Sequence, residues 1–392
     1  MKSFDKLCLL AMFCIITGCG PQKANEGENA TILSVVPESM KNEVKISEAF
    51  SSAKYISLET SQELLLDNIQ KIDHKDRFIY VSDRFAVYKF DEDGSLLSKI
   101  KKVGPGPDEY LSVSDFEVSE DGSVWILSRS NQTLYNYTWE GEMTGNIKLN
   151  CWAAKMLLVS PEEMWLYIGN EMNENNQHQL KMINPQTGSL ISSQLEIDEK
   201  QAKYLHINSE NHFSRGLNSR DMYFFKVFDD NVYRLSQDST VPALTVNINN
   251  KNIPPSFFEN EYEDVMDFFQ SLFNEGNYAY GTTAFTEYKN MYLYSYFYDR
   301  EKRLSFISKE KKESVTDFKT IIEDANLFGY PVYLTELSLF FQKNNEIIIP
   351  LTPSDILQYA ETNLSPEDLN KVKQVIRYTS DDQNPVLLLL YI

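Results

Sequence analysis

Short apolar runs recur along the chain, each four to six residues long and separated by turn residues. Phe78-Ile79-Tyr80-Val81-Ser82-Asp83 matches Ser123-Val124-Trp125-Ile126-Leu127-Ser128. Each is followed by a second strand-like run, Ala86 to Phe90 and Thr133 to Tyr137, rich in the aromatic and β-branched residues that suit a pleated, half-buried surface. Each then meets an acidic turn, Asp91-Glu92-Asp93-Gly94 or Trp139-Glu140-Gly141, and a third run, Leu96 to Ile100 or Asn146 to Leu149. The offset is 45 residues at the first run and 47 at the glycine, so the two units differ by a two-residue loop. Weaker copies begin at Met164, Met222, Met291 and Ile347.

Six such units predict an all-β fold, a six-bladed β-propeller, because one unit cannot bury both its faces whereas a radial ring can. A two-sheet sandwich or a barrel would use similar strands, but the repeat runs through most of the chain. Closure requires the ends to meet, and Lys54 to Leu58 is placed to pair beside Pro385 to Ile392. Two segments depart from the strand period. Residues 256–275 space Phe257, Phe258, Tyr262, Val265, Met266, Phe269 and Leu272 along one helical face. Residues 353–377 open on Thr352-Pro353-Ser354-Asp355, with Thr352 just before them, and contain Ser365-Pro366-Glu367-Asp368, each a hydroxyl before proline with an acid three on, a helix-start signature. These are expected to be short helical insertions that cover blade edges or shape a pocket.

The first residues fit a different pattern. Lys2 and Lys6 precede the apolar run Leu7 to Ile16, too short to span a bilayer, and Ile16-Thr17-Gly18-Cys19 follows. This predicts a lipoprotein signal peptide over 1–18 and lipidation of Cys19, whose thiol would take a diacylglycerol. Residues 19–48 are read as lipidated N-terminus and flexible tether, and 49–392 as the propeller. Gly20 rather than aspartate after the cysteine points to the outer membrane.

Composition narrows the function. The chain carries 37 Lys and Arg against 57 Asp and Glu, a net charge of −20, which argues against nucleic acid and against an electrostatic grip on anionic lipid. The 23 Phe, 23 Tyr and 4 Trp fit high β content, and also carbohydrate-stacking surfaces. With Cys8 and Cys14 in the signal and Cys19 acylated, Cys151 is left without a disulfide partner and is read as packed.

Gly104-Pro105-Gly106-Pro107-Asp108-Glu109-Tyr110 resembles the turn after a first blade in the six-bladed, NHL-like β-propeller lipoproteins of gut-type Gram-negative anaerobes. Asp382-Gln383-Asn384-Pro385-Val386-Leu387 resembles the strand that ends those chains, and Val232 to Leu235 followed by Pro242 resembles their central blade. Pro107-Asp108 departs from the usual form by one residue. The resemblance covers roughly 50–392 and implies a propeller fold and an envelope address, not a substrate.

No nucleophile elbow, zinc-protease helix or paired C-x-x-C occurs, so no catalytic, cofactor or metal residues are assigned. His74, His178, His206 and His212 form no sequence cluster. Asp91-Glu92-Asp93, Asp229-Asp230 and Asp381-Asp382 could attract calcium, but acidic turns are common for conformational reasons. Gly104-Pro105-Gly106 lacks the lysine and hydroxyl of a phosphate loop and reads as a rigid blade connection. The favoured function is a membrane-anchored, non-catalytic scaffold binding a glycan, a peptide or an envelope protein. The alternative is a propeller hydrolase or lyase with a carboxylate-lined central channel able to recruit calcium. Three or more acids converging on the channel with a histidine or arginine would favour the enzyme, and a lining of aliphatics and serines with exposed aromatics on one rim would favour binding.

Overall fold

The computed structural model describes residues 30–37, 41–207, 211–218, 221–342, 345–377 and 382–392. The chain enters through β1 (Thr31–Val35), β2 (Glu43–Lys45), helix α1 (Ile46–Ala49) and β3 (Ser52–Ser57). Sheet I then holds β4 (Lys71–Lys75), β5 (Phe78–Ser82), β6 (Val87–Phe90) and β7 (Leu96–Ile100). Sheet II holds β8 (Asp115–Val118), β9 (Val124–Ser128), β10 (Thr133–Tyr137) and β11 (Met143–Lys148). Sheet III holds β12 (Lys155–Ser160), β13 (Glu163–Tyr167), β14 (His178–Ile183) and β15 (Leu190–Glu196). Helix α2 (Gln201–Tyr204) leads to sheet IV, with β16 (Phe213–Arg215), β17 (Met222–Phe225), β18 (Asn231–Leu235) and β19 (Thr240–Ile248).

Helix α3 (Val265–Glu275) precedes sheet V, made of β20 (Ala279–Glu287), β21 (Met291–Tyr298), β22 (Glu301–Ser308) and β23 (Ser314–Phe318). Sheet VI pairs β24 (Thr320–Glu323) and β25 (Tyr330–Tyr333) with β2. Sheet VII holds β26 (Phe340–Gln342), β27 (Glu346–Leu351) and, after helices α4 (Pro353–Asn363) and α5 (Pro366–Val375), β28 (Val386–Tyr391) with β3.

The fold is therefore an all-β propeller with few helices, and its seven sheets correct the count of six read from the repeat. Sheet VI was missed because its three strands have only three or four residues, and one of them is borrowed from the stretch read as tether. The tether itself is shorter than expected. Leu33, Val35, Val44 and Ile46 are buried, so residues 31–35 and 43–49 belong to the folded body, whose first strand begins 18 residues before position 49. Burial of these side chains supplies the reason that a segment so close to a polar stretch is ordered.

The N-terminal segment acts as an outer strap. β1 adds in parallel to β19, and the Ser34 amide reaches the Lys312 carbonyl of sheet V at 2.8 Å. β2 adds in parallel to β24, and β3 closes the ring antiparallel to β28, with Ser57 opposite Val386 and Ser52 opposite Tyr391. Apolar clusters fill the spaces between neighbouring sheets. Sheet VI, α1, α4 and α5 pack between sheets V and VII around Phe318, Ile321, Ile349 and Leu388.

Turn chemistry fixes the spacing. Gly94 adopts φ +85°, and a Cβ there would lie 2.2 Å from the Ser57 carbonyl oxygen, so glycine is required. The Asp91 carboxylate accepts the amides of Asp93 at 3.0 Å and Ser95 at 2.8 Å, which accounts for the acidic turn as backbone capping. In the loop after sheet I, the Gly106 amide donates to the Glu109 carboxylate at 2.8 Å, and buried Tyr110 donates to the Ile100 carbonyl at 2.9 Å. That loop ties sheet I to sheet II. Helix α3 is capped by Asp264 and α5 by Ser365, whereas Thr352 caps α4 without a side-chain bond. Among the described residues no helix is long and apolar enough to cross a membrane.

Candidate functional site

The first strands of six sheets, β4, β8, β12, β16, β20 and β26, line a central cavity of about 1190 Å³. Strands β4 and β8 run in the same direction, since Lys71 reaches Asp115 at their starts and Lys75 reaches the Val118 carbonyl at their ends. The cavity is larger than most small-molecule pockets. Sheet VI contributes nothing to its lining, and neither do α1 to α5, so the helical insertions do not shape this cavity.

Alternation along β4 sends Lys71, Asp73 and Lys75 toward sheet II and Ile72 and His74 toward sheet VII. The Lys71 ammonium donates to Asp115 Oδ1 at 2.9 Å, the Phe116 carbonyl at 2.7 Å and Glu117 Oε1 at 2.9 Å. Burial pulls its pKa down, but the Asp115 and Glu117 carboxylates outweigh it and hold Lys71 protonated well above the usual lysine range. The second Asp115 oxygen accepts the Met156 amide at 2.8 Å, and the second Glu117 oxygen accepts Arg215 Nη2 at 3.2 Å. Arg215 also donates to the Leu158 carbonyl at 2.6 Å. One charged network therefore joins sheets I, II, III and IV around the axis.

A second network joins sheets I and VII. His74 Nδ1 lies 2.7 Å from Glu346 Oε2, and Gln342 accepts the His74 amide at 2.9 Å while donating to the Ile72 carbonyl at 3.1 Å. The hydrogen bond to Glu346 raises the His74 pKa above its ordinary 6.5, against the opposing effect of burial. Among the described residues, His74 Nε2 and Glu346 Oε1 are buried without a partner.

Asp73 is the exception among these groups. It faces the cavity between Lys71 and Lys75, with no hydrogen bond or ion pair among the described residues. Burial and then the Glu117 charge raise its carboxyl pKa above 3.8, despite Lys71, Arg215 and Lys75 nearby. A carboxyl whose folded pKa is raised costs stability as pH climbs past its unfolded value. Asp73→Asn should therefore melt higher than the parent at pH 7, with the gain shrinking as pH falls and vanishing below about 3.8. Melting curves across pH check this, and a lower melting temperature at pH 7 would show that Asp73 is a structural tie.

One end of the cavity is rimmed by Glu120, Asp121 and Glu140, and Trp139 stands in its wall. Trp139 stacks on Tyr80 with centroids 5.5 Å apart and planes 22° apart. Tyr80 is paired across the strands with Asp73, so the ring and the carboxylate belong to one row.

The other sequence candidates scatter. His206 stands 3.8 Å from Glu171 on the surface. His212 is buried against the Tyr167 ring at 4.1 Å, and burial lowers its pKa to about 3, so it is neutral. His178 sits on β14 without joining either. Asp229 accepts from Asn231 at 2.9 Å and Tyr233 at 2.8 Å, and burial raises neighbouring Asp230 to about 6. Asp381 and Cys19 lie outside the described residues. Cys151 is buried, and burial raises its thiol pKa. No group of three metal-capable side chains occurs among the described residues. Lys71, Asp73, Asp115, Glu117 and Arg215 were not anticipated from sequence. Their strands are short and polar, so they gave no apolar signal.

Radial sheets around a charged channel define a β-propeller. The family model described as Domain of unknown function (DUF4934) matches residues 31–391, and the chain belongs to that family. In structure it is similar to a Bacteroides fragilis protein assigned as exported, at 14% identity and TM-score 0.70, covering 92% of this chain and 99% of that one. It is also similar to a member of the DUF4221 family from Bacteroides vulgatus, at 9% identity and TM-score 0.52, covering 88% and 96%. The overlap with virginiamycin B lyase of Staphylococcus aureus has a TM-score of 0.42 at 13% identity, covering 76% and 84%, too weak to carry an argument. No curated protein matches the chain in sequence.

Proposed function

We propose that this protein is an exported lipoprotein, anchored to the outer membrane through Cys19, whose propeller binds a ligand in its channel without converting it. The observation that carries the binding part is the pairing of channel charges. Asp115 and Glu117 have every oxygen engaged by Lys71, Arg215 or a backbone amide, which makes them ties between sheets rather than acids and bases free to move protons. The lipobox motif and the exported assignment of the B. fragilis relative support the envelope address. The partner is a glycan, a peptide or another envelope protein, and a net charge of −20 disfavours nucleic acid.

Cys19→Ser is expected to move the protein from the membrane pellet to the soluble fraction and to abolish labelling by radioactive palmitate. Pelleting unchanged by the substitution would remove lipid anchoring from the account. Thermal melting of residues 30–392 with a glycan and peptide panel tests the binding part. Ligand at a hundred times its Kd adds about 2.7 kcal/mol, a visible shift.

A second reading has one observation behind it. Asp73, Asp115 and Glu117 do converge with Arg215, the arrangement that would favour a hydrolase or lyase, and Asp73 remains uncommitted. The same melts with calcium and with EDTA discriminate: a large calcium shift reversed by EDTA favours the enzyme, and metal-independent ligand shifts favour binding.

A further inference from the structure

The channel's charge pattern narrows the ligand class, an inference that rests on the binding reading above. An anion approaching the cavity meets Glu120, Asp121 and Glu140 at the rim of a protein of net charge −20. A cation that passes them meets Lys71, Lys75, Lys155 and Arg215, with Asp73 between Lys71 and Lys75. From that end neither sign of ion finds a continuous favourable path. A hydroxyl-rich neutral molecule suits both regions, because each hydroxyl donates to a carboxylate and accepts from an ammonium.

The row from the axis outward supplies the rest. Asp73 offers two acceptor oxygens with no protein donor. Tyr80 beside it stacks on the Trp139 ring, and Lys89 lies 5.5 Å from that ring's centroid. Exposed Asn146 of sheet II and Gln186 of sheet III add amide donors and acceptors to the cavity lining. Aromatic rings with a fixed orientation pack against the apolar C–H face of a sugar ring at little entropic cost. We infer that the channel takes a neutral oligosaccharide, with Asp73 accepting hydroxyls at the axis and Trp139 packing against a sugar face further out.

The test is an array of neutral, uronate-containing and sulfated oligosaccharides, read with residues 30–392 as wild type, Asp73→Asn and Trp139→Ala. Trp152→Ala, a surface tryptophan outside the channel lining, is the control. Neutral members should bind the wild type and the control, and both channel variants should bind at least tenfold more weakly. Asp73→Asn is expected to fold and melt no lower than wild type at pH 7, so its loss of binding cannot be a folding defect, even if Trp139→Ala is destabilised. Neutral binding unchanged in Asp73→Asn would overturn the assignment of residues. Binding confined to charged members would overturn the ligand class. Silence across the array would overturn the inference too, while a peptide-induced melting shift abolished by Asp73→Asn would leave the channel-binding reading standing.

Discussion

A chain shortened to begin at Thr60 is expected to lose its cooperative melting transition, while one beginning at Ala30 keeps it. The shorter chain lacks β1, β2, α1 and β3. Sheet VII loses its outer strand and sheets IV and VI lose the parallel strands on their edges. Buried Leu33, Val35, Val44, Ile46, Phe50 and Ile56 go with them. At about 1.5–3 kcal/mol for each buried side chain, the loss is on the order of 10 kcal/mol. Whole domains are stable by only about 5–15 kcal/mol. Bare strand edges on three sheets would also invite aggregation. Circular dichroism melts of the two chains decide the matter, and an unchanged transition at Thr60 would show that the strap is decoration.

Asp317→Ala is the single substitution expected to cost most. Arg303 Nε is paired with Asp317 in the core of sheet V, with side chains 5% and 0% exposed. Tyr296 donates to the other Asp317 oxygen at 2.9 Å, and Arg303 Nη1 reaches Asn42 in the strap at 3.1 Å. Removing the carboxylate leaves a buried guanidinium without its counter-charge, a change that costs about 3–5 kcal/mol. Replacing both, as Arg303→Met with Asp317→Leu, is expected to recover most of that loss, because two apolar groups need neither partner. Denaturant midpoints for the two variants check the contrast.

These two features also show what the sequence could disclose. The middle strands of the sheets were legible: Phe78–Ser82, Val124–Ser128, Met222–Phe225 and Val386–Tyr391 are apolar, aromatic or β-branched and flanked by turns. Closure by the strand at 52–57 was legible for the same reason. The inner strands were not. Lys71-Ile72-Asp73-His74-Lys75 reads as a polar connector, because its charges find partners only on sheets 40 or more residues away. Sheet VI fell below notice because three- and four-residue strands carry no periodicity, and one of them joins from a distance of 277 positions, Glu43 opposite Thr320. The candidate site was therefore the least legible part of the chain. A propeller builds its channel from one short strand per sheet, so the functional groups are neighbours in space and strangers in sequence.

On the proposed function, the channel holds its ligand without changing it. The most direct measurement pairs melting with mass. Wild type and Asp73→Asn would be incubated with the panel member that raises the wild-type melting temperature, and the recovered ligand weighed by mass spectrometry. The expected result is a clear shift in wild type, a smaller one in Asp73→Asn, and a ligand of unchanged mass in both. Ligand cleaved by the wild type would contradict that reading.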